Sequence, residues 1–228
     1  MEFNSLIDHT LLAPEATESQ IDRVIQEAKD HHFHTVMVNP YWVSKVHQAL
    51  ASFDVLTACV IGFPLGANTT RVKLFEAQDA LDNGADELDM VMNIGEFKGG
   101  HDQIVKHDIQ AVVDAGHRAD KVVKVIIETC LLTDDEITRA AQLVAATGAD
   151  FVKTSTGFSK QGATVKAVEL MSAAVQGTQT AVKASGGIHG PEDAQAMVDA
   201  GATRLGVSHS LAVIGAKAWH TNGYLGLC

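Results

Sequence analysis

Eight short apolar runs alternate with helix-patterned segments along the whole chain, and this alternation constrains the fold more than any other feature. The runs fall at 6–9, 35–38, 57–61, 87–91, 122–127, 151–155, 180–184 and 204–207. Each has strand length, whereas the segments between them space apolar residues for a helix, as in Ile21, Val24, Ile25 and Ala28 behind a Thr17 cap. Thr133 with Glu136 makes a capping box that opens another helix. Pro191, followed by Glu192 and Asp193, suits a first helical turn, where the N–H is unpaired anyway and acidic side chains meet the positive end. Asn83-Gly84, Thr147-Gly148 and Ala200-Gly201 end helices just before a strand, where a C-terminal glycine belongs. Gly-Ala-Asp recurs at this junction at 84–86 and 148–150, and Gly-Ala-Thr at 201–203.

Eight such units in 228 residues predict an α/β chain folded as a single (β/α)8 TIM barrel. The rival is an open doubly wound sheet, and its dinucleotide-binding version lacks support because no G-x-G-x-x-G follows the first strand. No linker or low-complexity stretch divides the chain, so one domain is expected over 1–228. Its Gly-containing, weakly periodic end, about 219–228, is expected to be mobile. A net charge of −11 argues against a nucleic-acid surface. No apolar run approaches the roughly 18 residues that a membrane span needs, and the N-terminus shows no signal-peptide pattern. Three cysteines, Cys59, Cys130 and Cys228, lack metal-ligand spacing and fit a reducing cytoplasm without disulfides.

In a barrel of this kind, functional side chains gather where strands end and βα-loops begin. F-V-K-T-S-T-G-F at 151–158 sets Lys153 among apolar neighbours ahead of Thr154 and the loop residue Gly157. Burial disfavours the ammonium and favours the neutral amine, the form that attacks a carbonyl to give a Schiff base. A strand-end lysine can also snorkel to solvent, which is the structural alternative. A-V-K-A-S-G-G-I at 181–188 repeats the pattern one unit later, so Lys153 and Lys183 are expected side by side, each cation lowering the other's affinity for a proton. Other strand ends offer Asp8, Thr10, Asn39, Asp89, Asn93, Lys124 and Glu128, of which Lys124 and Glu128 serve equally well as ion-pair tethers. Gly186-Gly187 and Gly206 with Ser208 lie at the two loops where barrels commonly hold a phosphate on exposed N–H groups; tight turns alone would also explain the glycines. His31, His32 and His34 cluster at the opposite face, and no histidine pair with carboxylate support suggests a catalytic zinc.

The motifs I-D-H-T-L-L, V-I-G-F-P-L-G, E-L-D-M-V-M-N-I-G, K-V-I-I-E-T-C-L-L-T, F-V-K-T-S-T-G-F and V-K-A-S-G-G-I span about residues 6–210, and through them the chain resembles the 2-deoxyribose-5-phosphate aldolases. These are Schiff-base lyases that reversibly join acetaldehyde to glyceraldehyde 3-phosphate. The resemblance implies Lys153 as the Schiff-base lysine, Lys183 as its perturbing partner and Asp89 as the acid/base carboxylate. It further implies aldehyde and sugar-phosphate substrates, no metal or organic cofactor, a homodimer, and a C-terminal tyrosine, Tyr224 here, that reaches the site. The chain departs from the family pattern at Met37, often Cys, at His189, often Arg, at His209, usually a small residue, and at Ala13, often Lys. Remaining alternatives are a barrel that only binds a phosphorylated metabolite and a Schiff-base aldolase of the transaldolase or 2-keto-acid type.

Overall fold

The computed structural model of the chain describes residues 3–216. The apolar runs are parallel strands β1 (Ile7–Leu11), β2 (Thr35–Val38), β3 (Leu56–Ile61), β4 (Glu87–Val91), β5 (Val122–Ile126), β6 (Phe151–Lys153), β7 (Ala181–Ser185) and β8 (Arg204–Val207). They pair in sequence order, and β8 pairs back onto β1, closing the barrel. Around it lie α1 (Glu18–His31), α2 (Val43–Leu50), α3 (Thr70–Asp82), α4 (Ile94–Lys98), α5 (Asp102–Arg118), α6 (Asp134–Ala145), α7 (Val165–Ala174), α8 (Pro191–Asp199) and α9 (Ser210–Val213). The expected (β/α)8 architecture is therefore present.

Local chemistry accounts for the boundaries. Thr17 caps α1 reciprocally with Gln20, and Thr133 caps α6 with Glu136, so amide groups left open by helix geometry find partners. Gly84, Gly148 and Gly201 sit at φ +98°, +76° and +110°, the left-handed region that ends a helix and is strained for any residue with a Cβ. Strand β6 stops at Lys153 rather than at Ser155. Beyond it, backbone groups turn to side chains: the Thr156 N–H donates to Glu128, and the Ser155 carbonyl accepts from Ser185.

Alternation along the strands divides the interior in two. Outward-facing residues such as Val36, Cys59, Leu88, Val125, Val152 and Leu205 join the apolar faces of the helices in one continuous core between sheet and helices. Inside the barrel, β1–β3 contribute a small separate apolar cluster of Leu12, Met37, Ala58 and Val60, with Phe63 packed on it. Val60 is in register with Asp89 of β4, so this apolar wall and the charged residues face the same lumen.

One buried ion pair outside the lumen fixes the end of β4. Lys73 of α3 is fully buried; its Nζ donates to the Val91 carbonyl at 2.9 Å and to Asp108 Oδ2 of α5 at 2.5 Å. Burial lowers the Lys73 pKa against the pull of Asp108. The Asp108→Ala variant leaves an unpaired ammonium in the core and is expected to lower the unfolding free energy by about 3–5 kcal/mol in denaturant titrations. Replacing both partners, as Lys73→Met with Asp108→Leu, is expected to recover most of that loss.

Candidate active site

The lumen holds a closed network of charges. Lys153 and Lys183 are directly paired in register on β6 and β7, as their repeated motif predicts. Both ammonium groups reach the same oxygen, Asp89 Oδ2, at 2.8 Å from Lys153 and 2.7 Å from Lys183. The other oxygen of Asp89 accepts from Lys124 at 2.7 Å. Lys124 also contacts Glu87 at 2.6 Å, and Lys183 also donates to Asp8. Below them Arg204 bridges Asp8, at 2.9 Å, and Glu87, at 2.8 Å, while His34 reaches Glu87 from outside at 3.2 Å. Asp8, Asp89, Lys124 and Lys183 are fully buried, and Lys153 is only 3% exposed.

Four cations (Lys124, Lys153, Lys183, Arg204) thus share three carboxylates (Asp8, Glu87, Asp89). Such a set is neutral when one lysine is unprotonated, and Lys153 has the fewest carboxylate contacts of the four cations. Among these contacts it has Asp89 alone, shared with two other lysines, whereas Lys124, Lys183 and Arg204 each touch two carboxylates or more. Burial first, then the Lys183 and Lys124 charges, lower Lys153 to about 8 although Asp89 pulls the other way. Lys124 moves upward: burial opposes its charge, but Asp89, Glu87 and Asp8 outweigh it. Burial alone would raise Asp89, yet Lys124, Lys153 and Lys183 hold it well below the usual carboxylate range.

The other sequence-predicted residues divide into two groups. Asp8 and Lys124 belong to the ion-pair network inside the barrel, where each is held by several charged protein partners. Thr10 donates to the Asp8 carbonyl and Asn39 to the Leu12 carbonyl, holding the ends of β1 and β2. Thr154 ties β6 to β7 by donating to the Ser185 carbonyl and accepting the Ser185 N–H. Gly157, Gly186 and Gly187 all take positive φ, at +85°, +80° and +76°, and line the mouth after β6 and β7. Exposed Ser208 follows β8, and the His189 and His209 rings meet edge to face at 5.6 Å between these last two loops. Gly206 differs from the turn glycines: a Cβ there would lie 2.8 Å from Ser185 Cβ and 3.1 Å from Lys183 Cε, so its missing side chain makes room for the lysine. Tyr224 and the expected mobile tail lie outside the described residues.

Sequence reasoning missed Glu87 and Arg204 as members of the network. Glu87 had a signal in its two-residue spacing from Asp89, which places both on one face of β4, whereas the place of Arg204 across the lumen follows only from the closed barrel.

The profile of the DeoC/LacD family aldolases matches residues 4–220. The chain belongs to this aldolase family. It is 64% identical over 215 residues to the deoxyribose-phosphate aldolase of Lactiplantibacillus plantarum, covering 94% of this chain and 100% of the relative. To the deoxyribose-phosphate aldolase of Streptococcus mutans it is 54% identical over 217 residues, covering 95% of this chain and 97% of the relative. Among solved structures, the tetrameric deoxyribose phosphate aldolase of Aeropyrum pernix superimposes with a TM-score of 0.88 at 35% identity, over 93% of this chain and 89% of that one. In this family member Gly206→Ala is expected to crowd Ser185 and, by a few tenths of an ångström, the Lys183 side chain beside Asp89, and to reduce aldol turnover about tenfold. Steady-state kinetics checks this, with circular dichroism to confirm an intact barrel.

Proposed function

We propose that this chain is a Schiff-base aldolase that reversibly cleaves 2-deoxy-D-ribose 5-phosphate to D-glyceraldehyde 3-phosphate and acetaldehyde. The observation that carries the reading is Lys153: a buried amine lowered to about 8, within 2.8 Å of a carboxylate that a second lysine also holds. A group so placed is neutral often enough at physiological pH to act as a nucleophile. Asp89 lies within hydrogen-bond reach to move protons for it.

In the cleavage direction the neutral Lys153 amine attacks C1 of the open-chain sugar phosphate. The carbinolamine loses water to give an iminium. The C3 hydroxyl then gives up its proton toward Asp89, directly or through a water. The C2–C3 bond breaks, and its electron pair moves into the iminium to form an enamine. Glyceraldehyde 3-phosphate leaves. Protonation of the enamine carbon regenerates an iminium, whose hydrolysis releases acetaldehyde and free Lys153. Lys183, hydrogen-bonded to Asp89 and Asp8, keeps Asp89 ionised and relays protons to it. The phosphate sits at the loops carrying Gly157, Gly186, Gly187 and Ser208, beside His189 and His209. Homodimerisation and a cytoplasmic location belong to the same proposal. The exposed Tyr41, Leu65 and Phe75 supply apolar surface for association, and no described helix is long and apolar enough to cross a membrane.

Incubation with acetaldehyde and borohydride should reduce the iminium to a stable adduct that mass spectrometry locates on Lys153, and Lys153→Ala should lose both adduct and turnover. Turnover and labelling retained in that variant would overturn the assignment.

Lys183→Leu removes a cation that lowers Lys153 and frees carboxylate charge that raises it, so both effects act in one direction. The rising limb of kcat/KM against pH, which reports the free enzyme, is expected to move from about 8 to higher pH. Lys183→Arg keeps the charge and should keep the limb in place, while losing most turnover because a guanidinium does not exchange its proton.

A further inference from the structure

The loops after β3 and β6 belong to strands separated by β4 and β5, yet their side chains meet. Phe63 and Phe158 stack edge to face with ring centroids 5.2 Å apart. Phe63 continues the apolar wall of Leu12, Met37, Ala58 and Val60, which faces the same lumen as Asp89. Phe158 follows Lys153 by five residues and keeps 41% of its surface exposed. The contact therefore spans the C-terminal mouth of the barrel from the apolar side to the strand that bears Lys153. An edge-to-face aromatic pair adds modestly to what its buried area supplies, enough to hold a loop yet weak enough to part.

Phe158 is held from below. Glu128 accepts from both the N–H and the hydroxyl of Thr156, and the Thr156 oxygen in turn accepts the Phe158 N–H at 3.0 Å. The Thr129 N–H donates to the Thr154 carbonyl at 2.9 Å, so the chain on either side of Glu128 is laced to the β6 loop. Glu128 adopts φ +55° and ψ +66°, a left-handed backbone that a residue with a side chain occupies only when its surroundings hold it there. Asp8, Glu87 and Asp89 each touch cations, but Glu128 has no Lys or Arg nitrogen within 4.0 Å among the described residues. Its carboxylate accepts from Thr156 and, at 3.9 Å, from the Cys130 thiol.

We propose that Phe63 and Phe158 roof the chamber above Lys153 and determine which aldehydes it accepts, with Glu128 acting through Thr156 as the residue that positions Phe158. The inference rests on the Schiff-base reading of Lys153. A donor joined to Lys153 by its carbonyl carbon has charged groups on one side and the proposed phosphate loops on another. A substituent on its second carbon is left to face the apolar wall and the roof. The class that fits is the smallest unbranched aldehyde, and each added methylene presses on Phe158.

The test is donor preference, measured as the ratio of kcat/KM for propanal to that for acetaldehyde with glyceraldehyde 3-phosphate as acceptor. One methylene in an apolar pocket discriminates by about 10- to 200-fold, so Phe158→Ala is expected to raise the ratio at least about tenfold, and Phe63→Ala to raise it in the same direction. Thr156→Val, which loses the link between Glu128 and Phe158, should raise the ratio as well. Glu128→Ala should do so more than Glu128→Gln, whose amide oxygen still accepts from Thr156. A loss of stability alone would lower both rates and leave their ratio fixed, so the ratio separates positioning from folding. If Phe158→Ala does not fold, Phe63→Ala and Thr156→Val carry the same test. An unchanged ratio in folded variants that still form the acetaldehyde–borohydride adduct on Lys153 overturns the roof. No adduct in the unmutated protein overturns the aldolase reading, and the roof's role with it.

Discussion

A single carboxylate, Asp89, organises this barrel. It takes hydrogen bonds from Lys124, Lys153 and Lys183, three cations that repel one another and would not remain together in a dry lumen without it. Its place in the middle of β4 is fixed by the strand ladder on both sides and by the Lys73 tether just beyond, so the meeting point of the lysines does not depend on a loop. Catalytic groups on strands are held more rigidly than groups on loops, which matters where two amines compete for one oxygen.

The balance among these groups does the chemical tuning. Apolar surroundings alone would make every lysine in the lumen a poor ammonium. The carboxylates restore the charge on Lys124, whereas Lys153, which has Asp89 alone among its ion-pair partners, is left with a loosely held proton. The difference between Lys124 and Lys153 here is the number of carboxylate contacts, not depth of burial, because both lysines are enclosed.

Much of this was legible in the sequence. Short strands read clearly because βα units impose a change of period at every junction, and three of the eight expected spans, 35–38, 87–91 and 204–207, coincide with β2, β4 and β8. The pairing of Lys153 with Lys183 followed from two copies of one motif a unit apart, since neighbouring parallel strands align equivalent positions. What stayed hidden was contact between distant strands. Nothing local to Arg204 says that it meets Glu87 of β4 across the lumen, and nothing local to Phe63 says that it meets Phe158. Such contacts depend on how the barrel closes and how far its strands are staggered. Lys124 shows the same limit: a strand lysine reads alike whether it will face a substrate or three carboxylates.

The closing ladder between β1 and β8 gives the order of synthesis a chemical meaning. Asp8 finds its partners in Lys183 and Arg204, 175 and 196 residues further along the chain. Loops of that length close late, because their entropy is lost before any contact returns stability. Until β7 and β8 have emerged and docked, Asp8 keeps only its longer, 3.7 Å contact with Lys124 among the described ion pairs, and three carboxylates share two cations. The lowered proton affinity of Lys153 owes part of its size to Lys183 of β7, so it is complete only when the late strands are present. A nascent or truncated barrel, however much helix it has formed, would lack that neighbouring charge, and its lysine would hold its proton more tightly.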